Sequence, residues 1–302
     1  MNVMDPSWAK PPPSAVTVGV FDGVHRGHVR LICRLVERAR SEGLSVGVLS
    51  FDPHPVEVLA PGRAPLLITS PERRVELLED LGIDWVGMLD LAQVRRMSPE
   101  KFVSDVLVRR AASQLVLVGD DFRFGHDRRG DVATLKEAGE RLGFEAGSVS
   151  LVADDGQVIS STRIRALIAE GRVAAAAELL GRPHRISGPV IHGEGRGRTL
   201  EYPTANLAPP AGIVMPADGV YAVRANDRDG VASLGVRPTF GHGGSRLLEV
   251  HLFDFDKDLY GTMLDVDFVE RLRGEERFES VDDLVAQMHR DTVAARLILS
   301  GR

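Results

Sequence analysis

The chain has 302 residues, 43% of them hydrophobic and 26% charged, and a formal net charge of −6. Those proportions are ordinary for a folded protein, and the length leaves room for two domains. The acidic balance argues against a dedicated nucleic-acid binder, whose surface must neutralise phosphates, and no run approaches the roughly twenty apolar residues of a membrane span.

The opening "MNVMDPSWAKPPPSAV" lacks an apolar signal core and reads as a loose, proline-bearing lead-in, so the expected compartment is the cytoplasm. Cys33 is the only cysteine, which excludes an internal disulfide and a cysteine metal cluster; it is expected as a small buried residue on a helix. Up to about residue 182, short β-branched runs alternate with helical stretches. "VTVGV" leads into a helix from about Gly27 to Arg40. "LSVGVLSF" is followed by a helix over "PERRVELLEDLG", "IDWVGMLDL" by one over "SPEKFVSDVLVRRA", and "LVLVGDDF" by one near "DVATLKEAGERLG". Strands alternating with helices of this length predict a parallel sheet covered on both faces, with ligands gathered beyond the carboxyl ends of its strands. "RIRALIAEGRVAAAAELLGRP" then predicts two short helices ending at Gly181 and Pro183.

After "RPHRISG" the pattern changes. "GPVIHG", "GVYAVRAN", "VASLGV", "RLLEVHLFDF" and "MLDVDFVERL" are strand-like and are separated by glycine, proline and aspartate. Such spacing predicts an antiparallel barrel or sandwich. A last helix is expected from Val281 to Leu299, because Leu284, Val285, Met288, Val293 and Leu297 recur at helical spacing. The expected domains are 1–182 and 183–302.

"GVFDGVHRGH", Gly19 to His28, stands where the first of these strands ends and its helix begins. A helix N-terminus exposes unpaired N–H groups and the positive end of the macrodipole, so it attracts anions. Glycines let the backbone turn sharply and approach a ligand. His25 and His28, three apart, share a helix face and offer imidazole donors to phosphate oxygens and to charge developing as a phosphate is displaced. The same two histidines could bind zinc, but no third ligand stands out; they could also merely cap the helix. Three further segments sit at ligand-facing positions. "SFDPHP" ends the second strand. "VGDDFRFG" ends the fourth, with Phe122 and Phe124 placed either in the core or beside a flat ring. "ISSTRIR" sets hydroxyls before a helix that carries Arg163 and Arg165, a pattern suited to a plain cap or to a triphosphate clamp.

The H-x-G-H ending resembles the nucleotidylyltransferase signature. The four segments together resemble the FAD synthetase module of the prokaryotic bifunctional riboflavin kinase/FMN adenylyltransferase family. The resemblance implies a Rossmann-like α/β fold in which FMN attacks the α-phosphate of ATP, giving FAD and pyrophosphate, with Mg²⁺ present. Carried over by position, Gly19, Phe21, His25, His28, Ser161, Thr162 and Arg165 would meet ATP, with His28 catalytic, and Asp121 and Phe124 would lie near the nucleotide or the isoalloxazine.

In the second half, "HGEGRGRTLEYPTANL" interleaves Gly193, Gly195 and Gly197 with Arg196 and Arg198. By composition this is a solvated basic loop. In the extended "PTAN", Thr204 and Asn206 project to one side and offer two neutral oxygens, suited to Mg²⁺ held mainly by nucleotide phosphates and equally to satisfying a turn. Glu249 alternates with apolar Leu248 and Val250, so it faces away from them; if it points into a cleft it is a candidate general base. "GRTLEYPTANL", "GVYAV", "LGVRPTF", "LEVHLFDFDKDLYG" and "LRGEERF" stand in the order of the riboflavin kinase domain of that same family. This second resemblance implies a six-stranded antiparallel barrel with a terminal helix. It implies that Gly193, Gly195, Arg196, Gly197 and Arg198 close over phosphates, that Thr204 and Asn206 hold Mg²⁺–ATP, that Glu249 activates the ribityl 5′-hydroxyl, and that Arg273 approaches the flavin. Glu201 stands where the family usually has glycine, and Val236 where threonine is common.

The expected protein is a cytosolic bifunctional transferase that phosphorylates riboflavin to FMN and adenylylates FMN to FAD, with Mg²⁺–ATP in both steps. Riboflavin, FMN, FAD and ATP are its expected partners, without nucleic acid or membrane. The alternatives are a chain in which only one module works, adenylyl transfer to another acceptor such as a nicotinamide mononucleotide, and a flavin carrier without turnover.

Overall fold

The alternating runs build a wholly parallel six-stranded sheet in the order β1-β4-β3-β2-β5-β6. Its strands are β1 (Asn2–Met4), β2 (Ser14–Val18), β3 (Ser45–Phe51), β4 (Trp85–Leu89), β5 (Ser113–Gly119) and β6 (Glu145–Val149). The structure, a computed structural model, describes residues 2–4, 11–150, 152–154, 156–193, 202–208, 210–236 and 246–301. Two of the six strands escape the sequence reading. β1 lies inside the proline-bearing lead-in, which is expected to be loose, and pairs with β4 from Asn2↔Trp85 to Met4↔Gly87. β6, "EAGSV", carries one β-branched residue and pairs at the other edge with β5, so little in its composition announces a strand.

Four helices stand where expected, α1 (Arg26–Ser41), α3 (Pro71–Asp80), α5 (Pro99–Phe102) and α6 (Val132–Leu142), and two short ones, α2 (Pro55–Leu59) and α4 (Leu91–Val94), add to them. α5 runs on into a π-helical stretch, Val103–Arg110. Local chemistry fixes the starts. Ser70 and Ser98 accept the N–H groups of Arg73 and Lys101 just before Pro71 and Pro99, and Asp131 accepts that of Thr134. In α1 the buried residues are Leu31, Ile32, Leu35 and Ala39. Cys33, expected inside, is exposed because it falls off this stripe.

The described residues form two compact units, one over Met1–Pro65 and Thr69–Ser160, the other over Leu66–Ile68 and Ser161–Arg302. In the first, the chain builds outward from β2 to β3 and β4, then returns to place β5 on the other flank of β2. The carboxyl ends of β2 and β5 therefore bound the crevice where ligands gather in such sheets. A small hairpin, β7 (Ala153–Asp154) with β8 (Gln157–Val158), completes it.

The second unit opens with α7 (Ser161–Ala169) and α8 (Val173–Leu180); α8 ends at Gly181 in the left-handed conformation, as a C-cap requires. β9 (His184–Ile191), β10 (Ala205–Leu207), β11 (Gly219–Ala225), β12 (Arg228–Val236), β13 (Arg246–Leu252) and β14 (Met263–Arg273) close a barrel in the order β10-β13-β12-β11-β14-β9. Asn226 and Asp227 turn β11 into β12 with positive φ at both, the conformation a two-residue hairpin demands. The barrel fills with Ile186, Leu207, Tyr221, Val223, Leu234, Leu248, Val250, Val266 and Phe268. His184 is buried at the start of β9 with Nε2 3.0 Å from the Val214 carbonyl, and burial pushes its imidazole down to about 4.

The last helix, α9 (Val281–Ser300), forms as expected but turns a different face inward. Val293 and Leu297 are exposed, whereas Ala295 and Leu299 pack on Ala222, Phe253 and Val269 of the barrel's outer surface. The reason lies in β14. The Arg273 guanidinium donates from Nε and Nη2 to Asp291 at 3.1 and 2.8 Å, and this ion pair draws a polar position of the helix to the barrel.

Candidate active sites

The first constellation sits at the carboxyl end of β2. Between Gly19 and α1 the chain makes a turn in which Phe21 and Val24 take φ of 55° and 37°. A β-branched residue at positive φ costs on the order of 1–3 kcal/mol and persists only where its surroundings over-determine it. They do so here. Asp22 is buried and its Oδ1 accepts the Thr69 N–H at 3.2 Å, while the Gly23 N–H donates to Thr69 Oγ1. Arg74, also buried, donates from Nη1 to the Val20 carbonyl at 3.0 Å. Burial lowers the Arg74 pKa, against the pull of Asp22, Asp52 and Glu72.

This turn delivers the two histidines. His25 is the N-cap of α1, its Nδ1 accepting the His28 N–H at 3.4 Å. The imidazoles stack at 3.6 Å, 15° from parallel, and the buried Phe21 ring meets His28 edge-on at 5.0 Å. Gly19 makes room for that ring, since a Cβ there would stand 3.0 Å from it. The result is a pair of stacked imidazoles fixed at the positive end of a sixteen-residue helix, a place for a phosphate and for the charge it sheds. "SFDPHP" contributes support: Ser50 Oγ donates to the Val20 carbonyl, and His54 caps α2.

On the other flank of the crevice, β5 runs into Asp120 and Asp121, both exposed. The two phenylalanines that follow divide their tasks. Phe124 is 6% exposed and lies in the core, tilted against Phe102 at 5.5 Å and close to Gly130, while the half-buried Phe122 stacks on it at 5.4 Å. Ser161, Thr162 and Arg165 open α7, in the second compact unit.

The second constellation is written in barrel register. β10 pairs Asn206 opposite Glu249, and β12 pairs Ser233 opposite the same glutamate. Leu248 and Val250 point inward, so Asn206, Glu249 and Ser233 form a polar row on the outer face. Asn206 is 5% exposed, its amide lying against Gly193, where a Cβ would stand 2.6 Å from Asn206 Cγ. Thr204 and Asn206 also line a cavity of about 670 Å³ at the barrel mouth, walled by Val190, Val250, Leu252, Phe255 and Leu259 and rimmed by Asp256, Lys257 and Asp258. His251, two residues from Glu249 along the same face, donates from Nδ1 to the Pro203 carbonyl at 2.9 Å and lies 5.1 Å from the Tyr202 ring. Gly195, Arg196, Gly197, Arg198 and Glu201 lie outside the described residues, whereas Val236 ends β12. Among the described residues no three His, Cys, Asp or Glu side chains gather as a metal cluster.

Known proteins divide in the same way. The family model for FAD synthetase matches residues 8–163, and that for riboflavin kinase residues 180–299. The bifunctional riboflavin kinase/FMN adenylyltransferase of Escherichia coli K12 is 41% identical over 287 residues, 93% of this chain and 91% of the relative. The chain belongs to the bifunctional riboflavin kinase/FMN adenylyltransferase family. The Haemophilus influenzae member is 38% identical over 95% of this chain and 94% of its own length. A crystal structure of a protein named macrolide-efflux protein from Streptococcus pneumoniae is 33% identical, covers 97% of this chain and 98% of that one, and superposes with a TM-score of 0.90. That likeness carries the family fold through both units. In this family member no helix among the described residues is long and apolar enough to cross a membrane.

What sequence reasoning missed is the support. Asp22, Thr69 and Arg74 hold the histidine turn, and Asp291 holds Arg273, yet each is an ordinary helix or loop residue in sequence. Only the stretch "VFD" before the paired histidines hinted that an aspartate had a fixed place there.

Proposed function

We infer that this chain is a transferase with two ATP-dependent activities: it phosphorylates riboflavin to FMN in its C-terminal half and adenylylates FMN to FAD in its N-terminal half. The observation that carries the reading is that two family models match in tandem, and each falls on a unit with its own polar constellation. We assign the adenylyltransferase to residues 1–182 and the kinase to 183–302. The compact units divide earlier, at 160/161, because α8 packs on β9 and β14.

In the kinase, the ribityl 5′-hydroxyl oxygen attacks the γ-phosphorus of ATP and ADP leaves; Glu249 accepts the hydroxyl proton. Gly193, with Gly195, Arg196, Gly197 and Arg198, closes over the phosphates. Thr204 and Asn206 fit Mg²⁺: they are neutral oxygen donors on one side of an extended segment, at the edge of the cavity, in a site whose remaining ligands would be phosphate oxygens and water. When bound there, Mg²⁺ supplies neutralisation of phosphate charge. Arg273 approaches the flavin ring.

In the adenylyltransferase, an FMN phosphate oxygen attacks the α-phosphorus of ATP and the bond to pyrophosphate breaks. His28 is the catalytic donor to the charge that develops. His25, Gly19 and Phe21 place it and meet the nucleotide, Ser161, Thr162 and Arg165 take phosphate oxygens, and Asp121 stands near the bound nucleotide or flavin, with Phe124 beside it as the buried backing beneath Phe122 rather than a direct contact. Cytoplasm is the proposed compartment.

Product analysis by chromatography tests both halves. With riboflavin, ATP and Mg²⁺ the chain yields FMN and then FAD. His28→Ala stalls at FMN, whereas Glu249→Ala makes none from riboflavin yet converts supplied FMN. Normal FAD formation by His28→Ala would refute the N-terminal assignment.

A further inference from the structure

β14 ends at Arg273, and the segment from Gly274 to Glu279 leaves the barrel there before Ser280 caps α9. Its contacts run through Arg273 and Glu275: besides those below, Arg273 Nη1 lies 3.9 Å from Glu276 Oε2 and its guanidinium stands 5.7 Å over the Phe278 ring. At its root, Asp291 of α9 grips Arg273 through Nε and Nη2, Gln287 Nε2 donates to Asp291 Oδ1 at 2.8 Å, and Arg273 Nη1 donates to the Gly274 carbonyl at 3.0 Å. Asp291 is 5% exposed, so the pair is largely removed from water. One residue beyond Gly274, the Glu275 carboxylate rests on Gly235 of β12, where a Cβ would stand 3.0 Å from Glu275 Cδ and collide with Oε1.

Gly235 pairs with Leu247, and two residues along each strand Ser233 pairs with Glu249. That step is about 7 Å on the same outer face. The first residues of the segment are therefore held on the strand that neighbours the candidate base. A buried ion pair is weak as a source of stability, because its desolvation offsets most of its attraction; its geometric effect is to fix where its members stand. Here it fixes the root of the segment, and by neutralising Arg273 it leaves that guanidinium better suited to an uncharged ring than to a phosphate.

We propose that Asp291 is a positioning residue for the kinase acceptor: acting through Arg273, it sets segment 274–279 against β12 so that riboflavin, rather than ATP, depends on it. The proposal rests on the kinase reading above. It predicts a division in the kinetics. In Asp291→Asn, which keeps the shape and removes the charge, KM for riboflavin rises roughly 10- to 100-fold, while KM for ATP stays within about twofold. Gly235→Ala, on a different strand from the Asp291–Arg273 pair, unseats Glu275 and shifts riboflavin KM in the same direction. Asp291→Glu restores part of the loss.

Steady-state kinase assays with each substrate varied, well below each variant's Tm, test it; FMN adenylylation by the same preparations is the internal control. A purely structural role would lower Tm and the active fraction, leaving both KM values alone. That outcome, or an equal rise in both KM values, overturns the proposal, as does an unchanged riboflavin KM in Gly235→Ala. A wild-type chain that makes FAD from FMN but no FMN from riboflavin overturns the kinase reading, and the proposal with it.

Discussion

Replacing Gly193 by alanine asks how closely the kinase site is built. A Cβ at this position would stand 2.6 Å from Cγ and 2.8 Å from Oδ1 of Asn206, whereas carbon atoms rest at about 3.5–4.0 Å. One partner must give way by about 1 Å. Gly193 does not take a left-handed φ, so alanine meets no backbone strain and the whole effect is contact. Asn206 has little freedom to retreat, being buried, close to the Thr204 carbonyl through Nδ2 at 3.5 Å, and in register with Glu249. A misplacement of this size in a reacting constellation costs about 100-fold in rate, equivalent to about 2.7 kcal/mol of barrier. The expected result is FMN formation from riboflavin slowed by that order, with conversion of supplied FMN to FAD within about twofold of wild type. The two rates come from one preparation, so misfolding of the whole chain would lower both. Kinase activity within twofold of wild type would refute the claim that the Gly193–Asn206 contact positions a phosphate-site ligand.

Three further outcomes are expected. His28→Ala lowers FAD formation from FMN by about 10²–10³, the loss typical of one donor to developing charge, and leaves riboflavin phosphorylation unchanged; an unaltered FAD rate would remove His28 from the chemistry. Glu249→Gln lowers kinase kcat by about 10²–10⁴ with little change in either KM, because the amide keeps the shape but accepts no proton; a pure KM effect would count against a base. His184 makes stability depend on pH: its imidazole titrates near 6.5 when exposed and about 4 when folded. Between those values the unfolded state binds more protons, so stability is complete above pH 6.5 and declines toward pH 4, by about 2 kcal/mol between pH 7 and 5. Denaturant titrations should show that decline in wild type and a smaller one in His184→Gln, and equal declines would contradict it.

How far the fold could be read follows from what each element spends its residues on. β2, β3 and β5 are buried on both faces, so "VTVGV", "LSVGVLSF" and "LVLVGDDF" advertise themselves as apolar runs. The sheet edges do not: β1 is three residues long and β6 is mostly Glu, Ala, Gly and Ser, so their strand character comes from the neighbours they pair with. α9 shows the opposite failure. Its apolar residues recur on more than one face, and periodicity alone chose Val293 and Leu297; the barrel instead took Ala295, Leu299 and the polar Asp291, because an unpaired Arg273 beneath the helix would be far costlier than an exposed leucine.

The candidate sites divide along the same line. Chemistry that depends on neighbours in sequence, such as His25 capping the helix that carries His28, is legible because the N-cap geometry spans only three residues. Chemistry that depends on register is not. Asn206 and Glu249 are separated by more than forty positions, and their adjacency rests on β10, which is three residues long and pairs with β13 on one side and β9 on the other. A slip of one residue would turn Asn206 into the barrel and expose Leu207, which is fully buried among Ile186, Leu248 and Val250. The apolar interior thus enforces the polar row outside it: the same alternation that buries Leu207 and Leu248 obliges Asn206 and Glu249 to face one another on the opposite side. A substitution such as Leu207→Asn should therefore impair the kinase beyond its cost in stability, although Leu207 touches the barrel interior and not the polar row. Riboflavin phosphorylation, compared with FMN adenylylation in the same sample, would reveal it.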